Sequence, residues 1–170
     1  MELFEKLYQE YNDDIRFFLL RLTGYERDLA DELVQETFYQ AILSFHRFKG
    51  DCNIKSWLCQ IAKNQYFNAM RTKKRHRSVP LDEKTDASQT LSADPESQIG
   101  EKELLTLSLE IIRAMDEKTR DVMIYRIFSD MPHSQTAGLL HIGESSVKVI
   151  YMRGRQKLQK ILREDYGYEI

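Results

Sequence analysis

The chain has 170 residues, of which 42% are hydrophobic, and a formal net charge of −2. That length allows one ordinary domain or two small ones, and the near-neutral charge excludes a chain that holds nucleic acid along its whole surface. Any affinity for nucleic acid has to come from local clusters of Lys and Arg, because only cations that reach phosphates release counterions.

Residues 2–22 place Leu3, Phe4, Leu7, Tyr8, Tyr11, Ile15, Phe18, Leu19 and Leu22 at three- and four-residue steps, which predicts an amphipathic helix. Thr23-Gly24 ends it. A second helix is predicted from about Glu26 to Phe45, with Leu29, Leu33, Phe38, Ala41, Ile42 and Phe45 facing inward. Gly50-Asp51 breaks the pattern, and Asn53 is placed to cap a third helix. That helix carries Ile54, Trp57, Leu58, Ile61, Ala62, Tyr66, Ala69 and Met70. It ends in the basic run Arg71-Thr72-Lys73-Lys74-Arg75-His76-Arg77.

Residues 78–98 are polar, with Asp82, Glu83, Asp86, Asp94 and Glu96 and few apolar anchors, and read as a linker. Helix resumes at about Ile99, with Leu104, Leu105, Leu109, Ile112 and Met115 on one face. Asp116-Glu117-Lys118 marks a turn or a helix start. Pro132 suits a first helical turn and precedes a short helix, Ser134–Leu140. A turn at His141-Ile142-Gly143 leads to a final helix, about Glu144–Arg163. The chain therefore reads as all-α, with two small helical domains, 1–77 and 99–170, joined by a flexible linker.

The C-terminal pattern fits a helix-turn-helix. Its first helix needs a small residue at the crossing, supplied by Ala137, and its turn needs an apolar plug, supplied by Ile142. Leu139, Leu140 and Val147 complete a small core. The last helix then offers Ser145, Ser146, Lys148, Val149, Met152, Arg153 and Arg155 to a major groove. The bland alternative is a solvated basic helix in an ordinary bundle.

In the N-terminal part, Asp28, Asp31, Glu32, Gln35 and Glu36 form an acidic face. Such faces are mostly solvated, but one can also dock a basic partner helix. The third helix interleaves Trp57, Tyr66 and Phe67 with Lys55, Lys63, Asn64 and the basic run. Stacking surfaces with cations suit a single DNA strand. Trp57 falls on the apolar stripe and reads mainly as core. The loop Phe48–Asn53 is polar enough to wall a pocket for an unpaired base.

Cys52 and Cys59 lack C-x-x-C spacing and zinc-ligand company, so neither a disulfide framework nor a metal site is expected. The N-terminus shows no signal-peptide pattern and the chain no apolar run of membrane-spanning length, so a cytoplasmic protein without membrane insertion is expected. No Gly-rich phosphate loop or nucleophile elbow is present, so neither an enzyme nor a cofactor is expected.

Taken together, these residues resemble a bacterial RNA polymerase sigma factor of the extracytoplasmic-function (group 4) type. Asp31-Glu32-Leu33-Val34-Gln35-Glu36-Thr37-Phe38 resembles the family's region 2 core-binding helix. Phe48-Lys49-Gly50-Asp51, Lys55-Ser56-Trp57-Leu58 and Ile61-Ala62-Lys63-Asn64 with the basic run are similar to its −10 segment. Leu139-Leu140, Ile142, Val147-Lys148 and Arg153-Gly154-Arg155 resemble its region 4 helix-turn-helix. The resemblance implies a non-catalytic subunit of core RNA polymerase that opens promoter DNA and is held by an anti-sigma factor. It implies that Asp31, Gln35 and Glu36 meet the polymerase. It implies that Phe48, Lys49, Gly50, Asp51, Cys52, Asn53, Lys63, Asn64, Arg71, Lys73, Lys74 and Arg75 take the −10 element. Ser145, Ser146, Lys148, Val149, Met152, Arg153 and Arg155 would read −35.

The chain departs from the family at His141, where Gly is usual, and at Gly143, where a capping Ser is. Val149-Ile150 replaces a frequent Ser-Arg and leaves fewer polar contacts to the −35 element. Two other readings compete. A stand-alone helix-turn-helix regulator would bind duplex DNA tightly without polymerase. A helical adaptor that reads no DNA would be indifferent to the charges of Lys148 and Arg153.

Overall fold

A computed structural model describes residues 2–77 and 96–169, with side chains over 2–75 and 100–169. Most of the expected linker, residues 78–95, lies outside the described residues. The described residues form seven α-helices and one 3-10 turn, with no strand among them. The helices are α1 (Glu2–Leu22), α2 (Arg27–Ser44), α3 (Ile54–Arg77), α4 (Glu96–Arg113), α5 (Glu117–Ser129), α6 (His133–Leu140) and α7 (Glu144–Tyr166).

Helices α1–α3 pack on one another. α1 buries Ile15, Phe18, Leu19 and Leu22, and α2 buries Ala30, Leu33, Val34, Thr37, Phe38 and Ala41. Both sets follow the three-four spacing of one helix face. The buried Thr37 hydroxyl donates to the Leu33 carbonyl at 2.6 Å, so it leaves no orphan polar group. Gly24 and Tyr25, at φ 64° and 66°, turn the chain between α1 and α2. Asn53 Oδ1 accepts from the Ser56 amide at 2.8 Å and caps α3 as its sequence position predicts.

Helices α4–α7 form the second group. Asp116 caps α5 by accepting from the Thr119 amide at 3.1 Å. Ala137, Val147 and Val122 form a small buried cluster with Leu140, Ile142, Ile150 and Tyr151 around it. Gly154 lets α7 approach α5, since a Cβ there would lie 2.7 Å from Met123 Sδ. His141 sits in the left-handed region at φ 55° and ends α6, a conformation that His tolerates better than most residues.

Several details differ from expectation. Ile42 is 49% exposed, not enclosed; it lines an open apolar groove with Phe38, Ala41 and Phe45. Pro132 occupies the cap position before α6, so α6 begins at His133. α4 begins at Glu96, inside the expected linker, and α7 runs to Tyr166, where Gly167 at φ 73° ends it. Leu139 does not join the small cluster around Ala137. It belongs to a larger core that includes Leu19, Leu58 and Ala62 of the first group and Phe128 and Met131 of the second. The two helical groups therefore share one continuous buried core.

Candidate nucleic-acid interface

The last helix presents its expected residues to solvent. Ser145, Ser146, Lys148, Val149, Met152, Arg153 and Arg155 are all exposed, and Val147, Gly154, Leu158 and Leu162 are buried on the opposite side. The helical period orders the exposed set. Ser145, Val149 and Met152 run down the middle. Ser146 and Arg153 flank them on one side, Lys148 and Arg155 on the other. An apolar ridge between two cationic edges suits a groove, where methyl groups meet apolar atoms and phosphates lie at the margins. Lys148 Nζ lies 3.6 Å from Glu144 Oε1, an exposed pair of little energetic weight.

The exposed face of α2 is longer than the sequence reading made it. Asp31, Gln35 and Glu36 are exposed as expected. Tyr39, Ile42 and Leu43 continue the same face and are each about half exposed. The four-residue step from Asp31 through Gln35 and Tyr39 to Leu43 was the available signal. Asp31 accepts from Arg16 Nε at 2.9 Å, and Glu36 accepts from Gln40 Nε2 at 3.0 Å. Beside this face lies an apolar groove of about 200 Å³, lined by Leu3, Phe4, Leu7, Phe38, Ala41, Ile42 and Phe45.

The Phe48–Asn53 loop is built on aromatic rings. Trp57 packs against the core as expected but is only half-buried, with its ring 5.2 Å from Phe48 and 6.1 Å from Phe45. This cluster fixes where the loop enters α3. Lys49, Gly50, Asp51 and Asn53 are exposed, whereas Phe48 and Cys52 are half-buried. Asn64, Arg71, Lys73, Lys74 and Arg75 lie on exposed parts of α3. Tyr66, expected among the stacking rings, is buried, so Phe67 and Trp57 are the accessible aromatics.

Lys63 departs most from expectation. It is buried, and its ammonium donates to Asp121 Oδ2 of α5 at 2.7 Å. Arg120 Nη2 lies 3.0 Å from the other Asp121 oxygen. Burial pulls the Lys63 pKa down, while the hydrogen bond and charge of Asp121 oppose the shift. Asp121 was not singled out in the sequence, because an acidic residue one step before Val122 reads as solvated.

The two thiols differ in environment. Cys59 is buried and its pKa is pushed up to about 12, chiefly by desolvation. Cys52 is half-buried and shifted upward by burial and by the charge of Asp51. Iodoacetamide at neutral pH is expected to modify Cys52 first and Cys59 only when the fold opens, because the thiolate is the nucleophile. Peptide mapping by mass spectrometry after timed quenching checks this; equal rates would show that Cys59 is not enclosed. Among the described residues, no cluster of three or more His, Cys, Asp or Glu is placed to hold a metal. No helix among them is long and apolar enough to cross a membrane.

Comparison with known proteins matches these two surfaces to two family models. Sigma-70 region 2 matches residues 7–76, and Sigma-70, region 4 matches residues 108–158. The chain is 26% identical over 157 residues to the ECF RNA polymerase sigma factor SigM of Bacillus subtilis, covering 92% of this chain and 93% of that protein. Its fold is similar to that of the sigma factor RpoE of Bartonella quintana, solved with the anti-sigma factor NepR. The TM-score there is 0.60 at 20% identity, over 97% of this chain and 99% of the other. It is likewise similar to CnrH, solved with the cytosolic domain of CnrY. There the TM-score is 0.62 at 20% identity, over 95% and 88% of the two chains. The chain belongs to the sigma-70 family of RNA polymerase sigma factors, and within it to the extracytoplasmic-function type.

Proposed function

We propose that the chain carries core RNA polymerase to its promoters through three surfaces, with a division of domains at residues 77 and 99. The face of α2 docks on the polymerase through Asp31, Gln35 and Glu36, extended by Tyr39, Ile42 and Leu43. The Phe48–Asn53 loop, with Asn64 and the cations Arg71, Lys73, Lys74 and Arg75, takes the −10 element as a single strand. The exposed face of α7 enters the −35 major groove. There Val149 and Met152 meet base methyl groups, while Lys148, Arg153 and Arg155 meet phosphate or base edges.

The observation that carries this reading is the coincidence of both family-matched segments with exposed cationic surfaces on separate helical groups. The chain acts without a catalytic centre of its own, in the cytoplasm, and is held by an anti-sigma factor until released. The structures of two relatives with bound partners support that last point.

The test is transcription with bacterial core polymerase and fragmented genomic DNA, followed by sequencing of the run-off products. Defined starts with shared −35 and −10 elements, absent without the chain, are expected. Stable duplex binding without initiation would favour a stand-alone regulator instead. In the same assay Asn64→Ala is expected to slow promoter opening, read by permanganate footprinting, while core binding stays normal. Equal loss of both would remove Asn64 from the −10 surface.

A further inference from the structure

The two helical groups meet along more than one seam, and the seams differ in how tightly they close. α6 crosses the Phe48–Asn53 loop so closely that a Cβ on Gly138 would overlap the Asp51 carbonyl oxygen. Where α1 meets α4 and α5, a pocket of about 580 Å³ remains, and its lining includes Arg21, Tyr25, Lys102, Leu104, Leu105 and Ile127. Sites for small molecules commonly have that size, with apolar walls and a few polar or charged groups that fix orientation. None of these residues belongs to the three surfaces proposed for polymerase and promoter.

The pocket holds two cations without anionic partners. Arg21 and Lys102 are half-buried, and neither forms an ion pair among the described residues. Arg21 Nη1 donates to the Phe128 carbonyl at 3.2 Å, and the rings of Phe17 and Phe128 lie 5.6 and 5.9 Å from the guanidinium. The group is thereby held in place while other N–H donors remain for a ligand. Lys102 Nζ stands 4.9 Å over the Tyr25 ring, which sets the second cation beside an aromatic surface. Glu101 also lines the pocket. One carboxylate against two cations leaves a single net positive charge, which suits a phosphate monoester better than a triphosphate.

Tyr25 is the second observation. It is half-buried in the turn after α1 and has a φ of 66°. A bulky side chain is costly in the left-handed region, where glycine is at ease. Residues held there cluster at ligand clamps and active sites. The ring stands beside the apolar walls of Leu104, Leu105 and Ile127, a surface for a flat heterocycle.

We propose that this pocket binds a purine mononucleotide, with its phosphate on Arg21 and Lys102 and its base against Tyr25 and the apolar wall. Phosphate monoesters fit the cations by charge-assisted hydrogen bonds, and a purine has a broad face for an aromatic ring. A ligand so placed touches α1, α4 and α5 together. It therefore adds contacts across the shared core and stabilises the folded chain by mass action.

The full chain is titrated by calorimetry with AMP, GMP, adenosine and inorganic phosphate, and its thermal midpoint is followed by circular dichroism at rising nucleotide concentration. AMP or GMP is expected to bind more tightly than adenosine or phosphate and to raise the midpoint. Lys102→Met is expected to weaken nucleotide binding by about tenfold or more, the loss that one hydrogen bond to a charged group brings. Tyr25→Gly is expected to weaken it by about tenfold through the lost stacking. Glycine accepts the φ of this position, so the fold survives that change. Glu101→Gln is expected to tighten binding, since it removes the opposing charge.

Absence of heat and of any midpoint shift with both nucleotides at millimolar concentration would overturn the site. Phosphate binding as tightly as AMP and GMP would show that the ring has no part in it, and equal binding of adenosine would show the same for the cations; either result removes the mononucleotide. Nucleotide affinity unchanged in both Lys102→Met and Tyr25→Gly, with helix content preserved, would place the ligand elsewhere. These measurements need neither polymerase nor promoter DNA, so their outcome is separate from that of the run-off assay.

Discussion

Replacing Lys148 and Arg153 together with alanine is expected to cut initiation from −35-dependent promoters by about a hundredfold or more. Each good contact to a base edge contributes about 1–3 kcal/mol, and the two side chains stand on opposite edges of α7 without sharing a partner. The salt dependence of binding separates two modes of contact. If both side chains meet phosphates, the double variant weakens binding across all sequences, and the slope of log K against log salt falls by about one for each lost cation. If they meet base edges, the slope changes little and discrimination at the −35 element is lost. Gel-shift titrations of polymerase complexes at several salt concentrations measure both quantities. Full activity of the double variant at every salt concentration would remove α7 from the −35 groove and favour the adaptor reading. Promoters that do not need a −35 element serve as the internal control.

Phe128→Ala is expected to destabilise the chain by about 3–5 kcal/mol, the range for deleting a fully enclosed aromatic ring and leaving a cavity. Phe128 is fully buried, with the Arg21 guanidinium 5.9 Å from its ring centre. Arg21 Nη1 also donates to the Phe128 carbonyl at 3.2 Å. The ring therefore closes the shared core from the α5 side while α1 holds it from the other. Urea titration by circular dichroism should show a midpoint shift of that size, and the thermal midpoint should fall by roughly 10 °C for a chain of this length. A loss under about 1 kcal/mol would mean that the shared core is open in solution. The same titration on the wild-type chain should give one transition, since a core continuous across both helical groups couples their unfolding.

The two surfaces most exposed to solvent were the most legible in the sequence. For α7, a 3.6-residue period separates Val147, Leu158 and Leu162 from the polar and cationic positions, and no other element intrudes on that face. For α2, the acidic face was legible at Asp31 and Gln35 but stopped too early. Ile42 looks like core by composition, but among the described residues no further element covers the groove that it lines. Trp57 packs against the core, as its stripe predicts, but is only half-buried. The stripe it shares with Ile54 and Ile61 is real, but its outer neighbours are Phe45 and Phe48, whose approach depends on the loop.

The sequence by itself determined the helices, the cap at Asn53, the left-handed turn at His141 and the chemistry of the exposed cationic faces of α3 and α7. These depend on neighbours within a few residues, where spacing and backbone preference act directly. Only the tertiary structure decided that Lys63 is buried against Asp121, that Leu139 belongs to the shared core and that Gly138 rests on Asp51. Those partners are 58 residues apart for the ion pair, and residues 78–95 between them constrain neither distance nor orientation from composition alone. A local pattern can say that a lysine lies on a basic helix. Whether its charge meets solvent, a phosphate or a carboxylate depends on which surface the rest of the chain folds against it.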